Sequence, residues 1–424
     1  MKFFFFALNV ILLLSCKQPT KHGPTSDAQQ VKSDWIELIN GKDFTGWKAS
    51  ENAETWSIVD NMFQAVGKRS HLFYTGEHLL DSFKNFELEL QVRTFRLANS
   101  GIYFHTHYQE VGWPSTGMEI QVNNSHVGEG NYVELKKMAS LYGTRNLYKS
   151  FGKDSVWMTV KARVESNRVQ VWLDGLKTVD YVQPEITKPG VMRLSKGTFC
   201  LQGHDSLSKM QYKSFKVRRL PADIKSDIEV PVYGAWCDSF RVYQGKQFAF
   251  IDLNPHTDMN ASDLAQYVYN TGINASLIKP VTAADFSAAT NLPVFTGLRL
   301  SVKDLPAFNT TAADYTLATS ENMDEAKSIL ASGKINIWSH RNETLTVKNA
   351  PALLDLARKN NVAIEIDNEA MTPSIEVIKL AKTKGCKFSF AGLVPVEKLD
   401  NSLYILEVIK AAGLDYRDLY VPKW

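Results

Sequence analysis

The sequence predicts a molecule in two parts, an all-β two-sheet sandwich or jelly roll followed by an α/β domain built on a parallel sheet or barrel. Three observations predict it. A chain of 424 residues exceeds what one ordinary hydrophobic core serves, so two domains are expected. From Trp35 to about Leu220 the apolar residues recur in short runs of period two, broken by turn residues, which is the signature of strands. From Phe248 onward, strand-like runs alternate with segments of helical period.

The chain opens with a separate segment. Lys2 precedes an apolar run from Phe3 to Leu14, interrupted only by Asn9. The run is too short to span a bilayer comfortably and suits the core of a signal peptide over residues 1–16. It ends Leu13-Leu14-Ser15-Cys16, which resembles a bacterial lipobox. The resemblance implies cleavage before Cys16 and acylation of its thiol; an ordinary signal peptide cut nearby is the alternative. Several acyl chains, at about 0.8 kcal/mol per buried methylene, hold a protein to a membrane without a spanning helix. Residues 17–34, polar and carrying Pro19 and Pro24, read as a flexible tether. No acidic run follows the cysteine, which favours a lipid-anchored, periplasm-facing protein of the cell envelope. The other cysteines, Cys200, Cys237 and Cys386, are odd in number and far apart, so neither a disulfide framework nor a CxxC metal knuckle is expected. Lys and Arg total 48 against 45 Asp and Glu, and no basic run is interleaved with aromatics, so no nucleic-acid partner is expected.

Within residues 35–220, FELELQVRTF sets Phe86, Leu88, Leu90 and Val92 against Glu87, Glu89, Gln91 and Arg93. WMTVKARV alternates from Trp157 to Val164. RVQVWLDG places Val169, Val171 and Leu173 opposite Gln170 and Trp172, then turns at Asp174-Gly175, a hairpin signal. GTFCLQGHD and YKSFKVRRL complete the strands. Residues 221–247, with Pro221 and Pro231, read as a linker. In residues 248–424, FAFIDL, NASLIKP, VFTGLRLSV, INIWSH, VAIEID and KFSFAG are strand-like. ASDLAQYVYNTG, MDEAKSILASG, APALLDLARKNN, SIEVIKLAKTKG and LYILEVIKAAG have helical spacing.

The chemistry concentrates in GIYFHTHYQEVGWPSTGMEIQVNNSH, from Gly101 to His126. Ile102, Phe104 and Thr106 share one parity, and Tyr103, His105 and His107 share the other. In the next strand Met118, Ile120 and Val122 alternate with Glu119 and Gln121. If the two strands pair, His105, His107, Glu119 and Gln121 converge. His-x-His plus a carboxylate suits one divalent metal ion. A solvated outer face would show the same alternation. Tyr103, Tyr108 and Trp113 add aromatic surface of the kind on which sugar rings stack.

Several motifs in order carry a resemblance: IELINGKDFTGW, NSGIYFHTHYQEVGWP, GMEIQVNNSH, SLYG, VWLDG and GTFCLQGHD. Together, over residues 35–220, they resemble the 3-keto-disaccharide hydrolase family, also described as 3-keto-glycoside hydrolases and lyases. Many of its members carry Arg where this chain has His105. The resemblance implies a concanavalin-like jelly roll acting on glycosides oxidised to a ketone at C3. Such a ketone acidifies the C2 proton, so a base can remove it while an electrophile holds the enolate. The C1 substituent then leaves by β-elimination, and water adds to the enone. The two opposed carboxylates of ordinary glycosidases are not needed, and the sequence shows no second carboxylate beside Glu119.

On this reading Glu119 and His105 divide the roles of base and metal ligand, with His107 a further candidate ligand. Gln121, Asn123, Asn124, His126 and Trp113 bind hydroxyls or shape the rim. Tyr142 donates to an oxyanion, and His204 with Asp205 forms a second acid–base pair. Structural roles are the alternative for His204 and His126. His71 and His78 read as ordinary surface residues.

The second half resembles a polymerase-and-histidinol-phosphatase (PHP) domain over residues 248–419. FIDLNPHTD, INIWSHRNE, ARKNNVAIEIDNEA and KLAKTKGCKFSFAG carry the resemblance. The ligand positions it implies are largely lost. Asn254 stands for a histidine, Lys279-Pro280 for a strand-end histidine, Leu298 or Arg299 for a glutamate, and Ala391-Gly392-Leu393 for Asp-x-His. His256 and His340 survive. Two histidines do not build a multinuclear hydrolytic centre, so no metal is expected there; a surviving mononuclear site would use His256, Asp258 and His340. The domain is then structural, a binding module, or a surface for a partner protein. The function expected is cleavage of a 3-keto-glycoside by the sandwich. The rivals are a non-catalytic carbohydrate-binding lipoprotein and a hydrolase acting through the second half.

Overall fold

The computed structural model describes residues 34–79, 82–130, 132–185, 192–225, 228–231, 242–243, 246–309, 313–340, 345–394 and 404–422. The signal segment, Cys16, Cys237 and the tether up to Ser33 lie outside these residues.

The strands of the first part are β1 (Ile36–Glu37), β2 (Trp47–Ala49), β3 (Trp56–Val59), β4 (Met62–Val66), β5 (Ser70–Tyr74), β6 (Phe86–Thr94) and β7 (Asn99–Thr106). They continue with β8 (Met118–Asn123), β9 (Met158–Glu165), β10 (Arg168–Leu173), β11 (Leu176–Val182), β12 (Thr198–Gly203) and β13 (Lys209–Arg219). They form two antiparallel sheets. The larger has eight strands in the order β11–β10–β9–β6–β13–β4–β3, with β1 beside β13. The smaller has five, β2–β5–β12–β7–β8. One core fills the space between them. Leu88, Leu90 and Val92 of β6 meet Ile102, Phe104, Ile120, Val122 and Leu201 of the smaller sheet there.

The two sheets differ in what covers their backs. In β6 buried and half-exposed residues alternate, as the sequence pattern predicts. In β7, β8 and β12 every residue is buried, so the back of the smaller sheet is covered as well. Loops do the covering, and the polar residues of that face are therefore not a solvated exterior.

The predicted parity of β7 fails at its end. His105 has φ +58, and the pairing with β12 slips so that Thr198 faces Thr106 while Phe199 faces Phe104. His105 is the unpaired residue of a β-bulge, which turns it away from the face of Tyr103. The backbone of Gly117 lies so close that a Cβ there would stand 2.8 Å from the His105 carbonyl carbon.

After a short hairpin, β14 (Val242–Tyr243) and β15 (Lys246–Gln247), the second part is a closed barrel of parallel strands. Its elements are β16 (Ile251–Asn254), α1 (Ala261–Thr271), β17 (Asn274–Pro280), β18 (Phe295–Leu300), β19 (Tyr315–Ser320) and α2 (Met323–Ala331). There follow β20 (Ile337–His340), α3 (Ala350–Lys359), β21 (Ala363–Asp367), α4 (Ile375–Thr383), β22 (Phe388–Ala391) and α5 (Tyr404–Ala412). The barrel closes through β22 and β16. Asn260 caps α1 by accepting from the amides of Ser262 and Asp263, and Gly272 ends it at φ 72. Strand β19 adds a seventh strand to those the pattern predicts, and among the described residues no α-helix lies between β17 and β18 or between β18 and β19. The described residues from Trp35 onward pack as one compact unit, with the loop after β8 lodged against the barrel.

Candidate functional site

A cavity of about 480 Å³ lies on the back of the five-stranded sheet, a size typical of small-molecule sites. Its floor is Asn99 and Tyr103 of β7, Glu119 and Gln121 of β8 and Gln202 of β12, all opposite in parity to the core residues. The wall comes from loops and supplies Trp113, Tyr132, Glu134, Tyr142, Met192 and His204. Of the sequence candidates, Glu119, Gln121, Tyr142, His204 and Trp113 meet here.

Glu119 is 6% exposed and accepts a hydrogen bond from Gln202 Nε2 at 3.3 Å. Tyr103, which faces it across the ladder, also bonds to it. Its side chain lies across Gly101, where a Cβ would fall 2.1 Å from Oε1. A glycine inside a strand thus marks the bed of the carboxyl. Burial raises the Glu119 pKa to about 8, and the Glu134 carboxylate pushes in the same direction. The Tyr103 and Gln202 bonds and the Lys136 ammonium oppose it and are outweighed. Glu119 therefore keeps its proton at neutral pH.

Sequence reading found no second carboxylate beside Glu119, but the structure brings one. Glu134 is fully buried in the wall, yet its oxygens are engaged. It accepts from the Tyr132 hydroxyl, from the Lys136 amide at 2.8 Å and from Lys136 Nζ at 3.3 Å. Lys136 also donates to the Tyr142 hydroxyl at 3.4 Å and lies 4.4 Å from the centre of that ring. Burial alone would lower the Lys136 pKa, but the Glu134 carboxylate raises it on balance. Burial raises the Tyr142 pKa despite Lys136, so the phenol stays protonated. A protonated phenol backed by an ammonium can receive negative charge developing on a substrate oxygen. Tyr142 is seated on β8 by its amide, which donates to the Glu119 carbonyl at 2.8 Å. Glu134 and Lys136 escaped sequence reading because they stand in a loop without period.

His204 is oriented by its neighbour, Nδ1 meeting Asp205 Oδ2 at 2.6 Å. Asp205 also accepts from the amides of Leu207 and Ser208 and the Ser208 hydroxyl. Although burial opposes it, the His204 bond leads the interactions that hold the Asp205 pKa at about 2. An ionised Asp205 makes Nδ1 the donor and leaves Nε2 to exchange a proton. The His204 ring lies 5.2 Å from that of Trp113 and 5.9 Å from that of His126. His126 itself bonds Leu97 O at 3.2 Å and does not line the cavity.

His71 corrects the surface reading. It is wholly buried, its ring 5.3 Å from Trp113 and 6.0 Å from Tyr103, and neither nitrogen has a hydrogen-bond partner. Burial lowers its pKa to about 4. Its pairing with Gln202 across β5 and β12 is the signal that would have placed it.

Other candidates do not reach the cavity. His105 Nε2 lies 2.8 Å from Lys84 O, and Nδ1 accepts from the Ser195 amide at 3.0 Å. Its ring packs on Phe86 and Phe104, and burial lowers its pKa to about 4. His107 is exposed beyond the end of β7, with Thr116 at 3.4 Å. Both His105 nitrogens are therefore taken by the backbone, and His105, His107 and Glu119 do not fit a common metal ion. Among the described residues no three His, Cys, Asp or Glu side chains form a set that would hold one. Asn123 ties down its own loop through His126 O, Lys136 O and the His126 amide, and Asn124 bonds Thr94 and Ser150. Both are braces rather than rim groups.

In the barrel, Asn254 donates to Glu365 at 2.8 Å and accepts from Arg299 at 2.7 Å. His256 lies between Glu369 at 2.8 Å and Asp367 at 3.5 Å, and these carboxylates raise its pKa against the effect of burial. His340 is buried, and burial lowers its pKa to about 4. Asp258, Lys279, Pro280 and Arg299 line a separate cavity of about 320 Å³. The amides of Leu393 and Val394 bond the buried Asp252 carboxyl, whose pKa burial raises to about 7.

No curated protein matches the sequence. Among solved structures, two proteins of Parabacteroides distasonis named "putative glycosyl hydrolase" share 22% and 25% identity. They cover 44% of this chain and 94% and 99% of their own, with TM-scores of 0.37 and 0.35. The carbohydrate binding module CBM66 from Bacillus subtilis shares 16% identity over 41% of this chain and 95% of its own, with a TM-score of 0.29. Residues 34–218, the sandwich, match the family described as the 3-keto-alpha-glucoside-1,2-lyase-like domain.

Proposed function

We propose that the sandwich cleaves a glycoside bearing a ketone at C3, by removal of the C2 proton, β-elimination of the C1 substituent and hydration of the enone. One observation carries the reading: a single cavity brings together a buried carboxyl, Glu119, and an imidazole, His204, that the Asp205 carboxylate orients. His204 Nε2 takes the C2 proton, and the C–H electron pair forms the enolate. Tyr142, backed by Lys136, holds the enolate oxygen. As the ketone re-forms, the C1–O bond breaks and Glu119 protonates the departing oxygen. Water then adds at C1 of the enone. Glu134 is bound up by Tyr132 and Lys136, which disfavours the two-carboxylate route of ordinary glycosidases. The match of residues 34–218 to the lyase-like family supports the same substrate class.

The test is incubation of the full chain with a 3-keto-glucoside and with its unoxidised parent in D₂O. Release of the aglycone from the ketone alone, with deuterium entering C2, supports the mechanism. Cleavage of the parent with C2 hydrogen retained overturns it. Trp113 at 44% exposure and Tyr132 at 41% form an aromatic rim that also suits a non-catalytic sugar-binding module, for which binding without cleavage is the outcome.

We propose further that Cys16 is lipidated and the chain faces the periplasm, supported by the apolar run and Leu13-Leu14-Ser15-Cys16. We also propose that the barrel is PHP-like and performs no metal chemistry, supported by Asn254, Lys279-Pro280 and Ala391-Gly392-Leu393 at the positions that resemblance assigns to ligands.

A further inference from the structure

We propose that the barrel buttresses the sandwich cavity: its N-terminal face grips the loop after β8 and so holds the Lys136–Tyr142 pair against Glu119. The inference rests on the reading of that cavity given above and assigns the second half of the chain its work.

The loop between β8 and β9 has no strand among its described residues and is held from two sides. On the sandwich side, residues 138–142 pair with β8 through Met138 N to Asn123 O at 2.7 Å and Ala139 N to Gln121 O at 2.9 Å. On the barrel side, Arg145 donates to the carbonyls of Tyr269 and Asn270 at 2.9 and 3.0 Å. These carbonyls lie in the last turn of α1, where such groups lack partners within the helix and the dipole favours a cation. Asn274, the first residue of β17, donates to Asn146 O at 2.7 Å and accepts from the Tyr148 amide at 3.3 Å. Lys149 pairs with Asp314, just before β19, at 2.8 Å.

Apolar packing follows the same division. Tyr148 is buried in the core of the barrel, and Leu135 packs against that core. Leu135 stands between Glu134, whose side chain lines the sandwich cavity, and Lys136, whose ammonium reaches back to Glu134 and to the Tyr142 hydroxyl. Adjacent residues thus face opposite ways, and displacement of the barrel face would displace the wall. The gripping groups sit at the starts of β17 and β19 and the end of α1. That is the face of a parallel barrel which ordinarily serves stability rather than chemistry.

The test uses full-length Asn274→Ala and Arg145→Met, with Arg145→Lys as the conservative partner, and reads folding by circular dichroism. Hydrogen exchange needs no substrate. Faster exchange confined to residues 132–149, with β6 and β13 still protected, supports the buttress, and unchanged exchange there overturns it. On a 3-keto-glucoside, kcat should fall on the order of 10-fold or more with little change in KM, and Arg145→Lys should recover part of it. An undiminished kcat in well-folded variants overturns the inference. A wild-type protein inert on the ketone overturns the proposed reaction instead, and exchange alone then judges the buttress. Should Asn274→Ala fail to fold, the Arg145 pair decides the same outcomes.

Discussion

Replacing Glu119 by Gln should inactivate the protein and stabilise it, by an amount that grows with pH. The unfolded carboxyl loses its proton near 4.5, whereas burial holds it in the folded state to about 8. Between those values the folded protein binds the extra proton. The stabilising contribution of that bound proton is complete below pH 4.5 and is lost as pH rises through 8. At 1.36 kcal/mol per unit, the whole interval amounts to about 4–5 kcal/mol, and about 3 kcal/mol of it has been lost by pH 7. Gln matches the neutral acid in shape and still accepts from Gln202 and Tyr103, but it does not ionise. Urea unfolding of both proteins at pH 5, 7 and 9 measures the difference. The curves should nearly coincide at pH 5 and separate progressively above it. Turnover of the 3-keto-glucoside should fall on the order of 10²-fold or more, and wild-type kcat/KM should decline as pH rises through 8. A variant less stable than wild type at pH 9, or one as active as wild type, would refute the assignment of Glu119 as a buried proton donor.

Other substitutions probe neighbouring parts of the argument. Gly101→Ala would set a methyl group 2.1 Å from Glu119 Oε1, so the carboxyl must leave its bed, and turnover should drop with only modest loss of stability in thermal unfolding. Asp205→Asn removes the charge that fixes His204, and kcat should fall on the order of 10²-fold while sugar binding, read by titration calorimetry, persists. Tyr142→Phe should lower kcat more than it raises KM, because the phenol acts on charge that exists only during reaction. His105→Ala deprives Lys84 O and the Ser195 amide of their partner and should cost about 1–3 kcal/mol in urea unfolding, with turnover little changed. Equal losses of turnover and stability there would restore His105 to the site.

Local pattern determined much of this protein. Phe86, Leu88, Leu90 and Val92 announced the inward face of β6 because a strand alternates whatever surrounds it. Glu119 and Gln121 were legible for the same reason, and the helices α1 to α5 followed from their apolar spacing. Parity did not survive at His105, where a residue other than glycine adopts positive φ, a choice no side chain advertises. His71 belonged beside Gln202 only through the pairing of β5 with β12, strands more than a hundred residues apart in sequence. Glu134 and Lys136 lie in a loop whose course is set by β8 on one side and, on the other, by Asn274 and the end of α1, to which Tyr148, Asn146 and Arg145 of the loop are bonded. Above all, a carboxyl in a strand has an ordinary acidity until its surroundings exclude water. Sequence placed Glu119 on the polar face; only the tertiary structure, by covering that face with loops, made it an acid that keeps its proton to about pH 8.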